Sequence, residues 1–171
     1  RRLGQRVMKI TADTNILVRV AVQDDLLQAQ QAMQLLQQAE LVAIPLPTLC
    51  EFVWVLARGY KKSAFEIAHA IELLIDCQNV AMNRAAVGAG LEILRAGGDF
   101  ADGIIAHTGN ELGAEEFVSF DQKAVAIMQA QGKSARLLTE QYQPVSRVLQ
   151  QERAEYKVDA PQSTKPGRKT R

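Results

Sequence analysis

KITADTNILVRV, residues 9–20, reads as a short apolar strand (9–12) that runs through Ala12-Asp13-Thr14-Asn15 into an apolar helix (16–20). The same order recurs downstream. Residues 25–39 place Leu26, Ala29, Met33 and Leu36 at helical spacing with glutamines elsewhere, and residues 41–44 make a short buried strand. Pro45 and Pro47 close that strand, because proline cannot continue a ladder. Thr48 then fits the N-cap of a helix through Arg58, which Gly59 ends. Ser63 with Glu66 three residues on forms a capping box, opening a helix to about Asp76. A third short strand is expected over 80–82, followed by a helix capped by Asn83 and ended by Gly97-Gly98. Asp99 begins another helix that stops at Gly113. Residues 116–120 read as a strand, 122–131 as a helix ended by Gly132, and 135–138 as a last strand.

Strand and helix thus alternate, which predicts an α/β domain with a mainly parallel sheet and helices on both faces. A chain of 171 residues holds one domain with a sizeable core but not comfortably two. The domain is expected over 8–139, with 1–7 as an N-terminal extension and 140–171 as a C-terminal one. Residues 145–156 could make one polar helix, and the sequence DAPQSTKPGRKTR over 159–171 has the composition of a disordered tail. No internal repeat is visible.

Hydrophobic residues make up 47% of the chain and charged residues 23%, the balance of a soluble globular protein. No apolar run approaches the roughly 18 residues that span a bilayer. The basic start RRLGQRV leads into no apolar segment, so a secretory signal is not expected. Cys50 and Cys77 have no metal or redox spacing and sit among apolar residues; they read as buried free thiols of a cytoplasmic protein. His69 and His107 stand alone in helices and read as solvated or helix-packing residues.

The net charge of +1 hides an asymmetry. Residues 8–139 hold ten Lys/Arg against fifteen Asp/Glu, a net charge near −5, while both extensions are basic. An acidic body does not coat nucleic acid with Lys and Arg, but it suits an enzyme whose carboxylates collect cations.

Those carboxylates have a pattern. In an open parallel sheet, ligands bind at the carboxyl ends of the strands. Asp13 follows the first strand and Asp121 follows the strand over 116–120. Glu51 lies in the first turn of the helix after the second strand, at the edge of the core stripe Leu49, Phe52, Val53, Leu56. Asp99 and Asp102 share one face of the first turn of their helix. Taken singly, each is an ordinary cap, turn or boundary residue. Together, five acids from four segments point to one end of the sheet, where they repel unless a cation offsets them. Oxygen ligands without His or Cys suit Mg²⁺ or Mn²⁺.

In this order, ADTNILVR, LCEFVWVL, GDFADGIIAH and SFD resemble the PIN-domain family, particularly the VapC toxins of VapBC toxin–antitoxin modules. The likeness spans about residues 8–139 and makes Met8 the expected start. It implies a PIN-like (Rossmann-like) three-layer α/β/α sandwich and a metal-dependent endoribonuclease acting on tRNA or another structured RNA. It also implies a homodimer and a cognate VapB-like antitoxin. Asp13, Glu51, Asp102 and Asp121 match the family's catalytic, metal-holding acids, and Asp99 matches an accessory one. Thr14, Asn15 and Ser119 match polar positions that orient carboxylates or water. Arg19, Arg58, Lys61 and Lys62 are candidate RNA contacts, with Arg84, Arg95 and Lys123.

Other readings fit less well. A haloacid-dehalogenase-like phosphatase needs a second Asp where this chain has Asn15, and a receiver domain needs an acidic pair and a late Lys that are not evident. The alternative from another class is a non-catalytic PIN module that binds RNA or protein.

Overall fold

A computed structural model describes residues 8–139, and the part up to Leu137 forms one compact unit. The extensions expected over residues 1–7 and 140–171 lie outside the described residues. The order is β1 Lys9–Thr11, α1 Thr14–Val22, α2 Leu26–Gln38, β2 Leu41–Ala43, α3 Leu46–Arg58 and α4 Ala64–Asp76. It continues with β3 Val80–Ala81, α5 Arg84–Arg95, α6 Phe100–Glu111, β4 Phe117–Ser119, α7 Gln122–Ala130 and β5 Ala135–Leu137.

All described strands pair parallel, as the alternation of elements predicts. Hydrogen bonds join them as two ladders, β1-β2-β3 and β4-β5, where one sheet was expected. Ile10 lies opposite Val42, Val42 opposite Val80, and Val118 opposite Arg136.

The caps explain where the helices start. Asp13, Asp25, Ser63, Asn83, Asp99 and Asp121 each accept a backbone N–H of the first turn, and Ser63 with Glu66 closes a full capping box. Thr48 departs from its expected role. Pro45 is the N-cap of α3, without a side-chain cap bond, and Leu46 and Pro47 already belong to the helix. Proline fits the first turn because the N–H it lacks would go unpaired there anyway. Thr48 is therefore inside the helix, and Glu51 falls in its second turn rather than its first.

One buried cluster joins α1, α3, α4, α5, α6 and the first three strands through residues such as Leu17, Val42, Phe52, Ile71, Leu91 and Phe100. A smaller one joins Ile93, Val125, Met128 and Ala135. The cysteines depart from expectation: Cys50 is half-buried and Cys77 is exposed. Cys77 is the C-cap of α4, past its last turn, so the apolar residues beside it in sequence do not cover it.

The closest helix approach sets the position of α6. A Cβ on Gly90 would lie 2.7 Å from the Phe100 ring, and one on Gly103 would overlap the Ala89 carbonyl and lie 2.8 Å from the Gly90 Cα. Gly88, also in α5, has nothing within 4 Å of such a Cβ. Ala substitutions in these helices should therefore differ in sign. Gly103→Ala is expected to cost about 1–3 kcal/mol through backbone overlap, and Gly88→Ala to add about 0.5–1 kcal/mol through helix propensity. Urea unfolding of the two variants checks the pair.

Candidate active site

The first acid is fixed by the turn that begins α1. Asp13 is exposed, and its Oδ1 accepts the N–H groups of Asn15 (2.7 Å) and Ile16 (3.3 Å). The next residue, Thr14, is 7% exposed and has the only buried polar side chain among the described residues. Its hydroxyl donates to Glu51 Oε2 at 2.7 Å, with the Thr48 carbonyl oxygen at 3.5 Å. One hydrogen bond thus links the start of α1 to the second turn of α3, across 37 positions of sequence. Asn15 is exposed.

The other acids gather around α6. Asp99 caps that helix, its Oδ1 accepting the Ala101 N–H at 2.8 Å. Asp102, three residues on, is half-buried, and its carboxyl is pushed above the usual range by burial and then by the charges of Asp99 and Asp121. Asp121 caps α7, its Oδ1 accepting the N–H groups of Lys123 (2.8 Å) and Ala124 (3.0 Å). Ser119 Oγ accepts the Asp121 N–H at 3.0 Å, so the end of β4 sets where that cap begins. Helix α3 packs against both α1 and α6. Burial and then the charge of Asp99 raise the thiol of Cys50, the residue before Glu51, which ties the α6 acids to α3.

Asp13, Asp99 and Asp121 therefore spend one oxygen on a cap. Their second oxygens have no hydrogen-bond partner among the described residues. Thr14 and Glu51 are joined by a hydrogen bond, and the Asp102 carboxyl feels the charges of Asp99 and Asp121. Among the described residues no group of three or more His, Cys, Asp or Glu side chains closes into a metal cage.

The PIN domain family matches residues 10–128. The chain belongs to the PIN-domain family. No curated protein matches it. Its fold is thus the PIN-like three-layer α/β arrangement, and membership supports a nuclease or RNA-binding function of the kind that typically uses a divalent metal. All the acids named above fall within the matched span. No described helix is long and apolar enough to cross a membrane.

The candidate RNA-contact cations of this PIN domain divide sharply. Arg19 donates to Asp24 at 2.6 Å and to Gln28 at 2.7 Å, and the Tyr60 hydroxyl completes the clasp on Asp24 at 2.7 Å. The Tyr60 and Arg19 hydrogen bonds hold the Asp24 carboxyl below its usual range. Lys62 pairs with Glu66 at 2.9 Å, Arg84 reaches the Ile75 carbonyl, and Arg95 pairs with Glu72. Arg58, Lys61 and Lys123 are exposed, with no ion-pair partner among the described residues. His69 is exposed and His107 half-buried, 3.5 Å from Glu111.

Two exposed aromatics beside the acids went unnoticed in the sequence: Trp54, one turn after Glu51, and Phe120, next to Asp121. Only their exposure distinguishes them from core residues.

A carboxyl whose folded-state pKa is raised disfavours its own ionised form in the fold. The cost is complete above the folded pKa and disappears as pH falls through it. Asp102→Asn is therefore expected to melt higher than the parent at pH 7 in a chelating buffer. The gap should narrow on acidification through the carboxylate range and with added salt. Thermal melts across pH read both trends.

Proposed function

We propose that this PIN domain is a Mg²⁺- or Mn²⁺-dependent endoribonuclease of the VapC toxin type that cleaves tRNA or another structured RNA. The observation that carries the reading is the PIN-family match over residues 10–128, a span that contains Asp13, Glu51, Asp99, Asp102 and Asp121, with the Asp102 carboxyl raised by burial and by the charges of Asp99 and Asp121. Like charges brought together on rigid helix starts are what a cation would offset, and an all-oxygen donor set fits a hard divalent ion.

In this reading Asp13, Glu51, Asp102 and Asp121 hold the metal. When bound, it would position a phosphodiester, lower the pKa of a water and stabilise the leaving oxygen. The chain's own groups prepare that place. The caps on Asp13 and Asp121 fix one carboxylate oxygen and leave the other free to turn toward the ligand. The Thr14 hydroxyl holds Glu51 in one orientation, Ser119 sets the backbone of Asp121, and Asp99 adds accessory negative charge. Asn15 is assigned to orienting the attacking water. We assign the domain to residues 8–139, with residues 1–7 and 140–171 as extensions.

The toxin assignment rests on the ordered motifs. It carries a cytoplasmic location, a homodimer and a VapB-like antitoxin. For an antitoxin segment, the molecule offers an apolar cavity of about 510 Å³ between α1, α2, α3 and α4, lined by Leu17, Val20, Leu36, Phe52 and Leu73. A second reading, a non-catalytic PIN module, is favoured by the open spacing of the acids, none of which form a closed cage among the described residues.

Incubation with total RNA decides between them. Cleavage is expected with Mg²⁺ or Mn²⁺, none in chelator, and none from a folded Asp13→Ala variant. Cation binding should also stabilise the wild type, by about 2.7 kcal/mol at a hundredfold excess over Kd, and not a variant lacking Asp13 and Asp102. A folded wild type that never cuts RNA supports the non-catalytic module. Growth arrest on expression, relieved by a small neighbouring-gene protein, tests the toxin role separately.

A further inference from the structure

We propose that Trp54 and Phe120 are base-stacking platforms flanking the acids, so that the strand enters the site as unpaired nucleotides. The proposal rests on the reading of the site as one that handles RNA, and it adds the residues that hold the bases.

Trp54 is the only tryptophan in the chain. It is 63% exposed on α3, off the buried row Leu49, Phe52, Val53, Leu56. It follows Glu51 by three residues and Cys50 by four, which makes all three neighbours on the helix surface. Helical side chains lean toward the N-terminus, which directs the indole toward the turn that carries Glu51. Four residues beyond Trp54 comes Arg58, exposed and without an ion-pair partner among the described residues. Phe120 is 75% exposed, between the end of β4 and the Asp121 cap. Lys123, exposed one turn into α7, lies three residues further on. The two places share one composition although they come from unrelated segments. Each has an acid of the site, an exposed aromatic ring next to it in sequence or one turn on, and within one turn a cation with no ion-pair partner among the described residues.

That composition selects its occupant. An apolar protein surface or membrane would bury the carboxylate and the cation along with the ring, at a desolvation cost. A nucleotide strand satisfies all three groups, since its phosphates meet the cation and the metal-seeking acids while a base covers the ring. Stacking contributes about 1–3 kcal/mol per base and tolerates any sequence. Bases in a duplex already have both faces covered, so only unpaired or splayed nucleotides can use such rings. Trp54 and Phe120 are positioning residues in this scheme and take no part in the chemistry.

The single indole supplies its own reporter. Wild-type protein is titrated with a 12-nucleotide oligouridylate, an abasic phosphodiester of the same length, and a 12-base-pair RNA duplex, in chelator and again with Ca²⁺. The oligouridylate should quench the indole, and the abasic strand and the duplex should not. Trp54→Ala and Phe120→Ala should each weaken oligouridylate binding about 5- to 150-fold, the equivalent of about 1–3 kcal/mol, with unchanged melting temperatures. Trp54→Phe should stay within a few-fold of wild type. Quenching by the abasic strand equal to that by oligouridylate overturns the proposal, as does Trp54→Ala binding like wild type. A change in solution mass of Trp54→Ala also overturns it, because a second copy of the chain would then be what covers the ring. Base-dependent quenching without any RNA cleavage supports the platforms while refuting the nuclease. Cleavage by wild type with no quenching refutes the platforms alone.

Discussion

The hydrogen bond from the Thr14 hydroxyl to Glu51 is the tie on which the candidate site depends. It is 2.7 Å long and partly buried, with a carboxylate acceptor, which makes it stronger than a neutral pair. The hydroxyl's other acceptor among the described residues is the Thr48 carbonyl oxygen at 3.5 Å, a longer and weaker contact. The position of the α3 acid is thereby coupled to the turn that places Asp13. A side chain too small to matter in a sequence pattern holds two distant segments in register.

The acids around α6 are held by a different balance. Asp99 and Asp121 gain from capping, because the N-terminal end of a helix carries partial positive charge. Asp102 stands within the first turn of α6, where the same dipole helps it, yet burial and its two acidic neighbours prevail and raise its pKa. The close contact of Gly90 and Gly103 makes this balance hard to escape. Gly103 follows Asp102 directly, and its missing side chain lets α6 lie against the α5 backbone. Moving Asp102 away from its neighbours would require breaking that contact.

Local chemistry was legible in the sequence wherever it was decided locally. Ser63, Asn83 and Asp99 stand at the helix starts where they were expected, and Asp13 takes the cap that was one of its ordinary readings, since a cap needs only its own first turn. Thr48 misled for the same reason: it is a good capping residue, but Pro47 is equally at home inside a first turn, and the helix began earlier. Properties decided by tertiary partners stayed hidden. Arg19 pairs with Asp24, which is itself held by Tyr60 from 36 positions away, and no pattern announces such a clasp. The exposure of Cys77, Trp54 and Phe120 depends on what the rest of the chain leaves uncovered. The acids were legible in the sequence as residues at strand ends and helix starts, but their mutual spacing was not.

The acidic character of the domain bears on how it would hold a nucleic acid. Proteins that bind through Lys and Arg gain affinity by releasing counterions, and lose it steeply as salt rises. A body near −5 gains little that way, and here Arg19, Lys62, Arg84 and Arg95 are already engaged within the fold. Under the proposed function, the remaining sources of affinity would be a cation shared between phosphate and carboxylates, side chains such as Arg58 that have no ion-pair partner among the described residues, and uncharged contact with the bases. Stacking on a ring carries no charge and costs the acidic face nothing. On a surface that repels phosphate, exposed aromatic rings are the contacts best able to hold a strand without engaging the carboxylates.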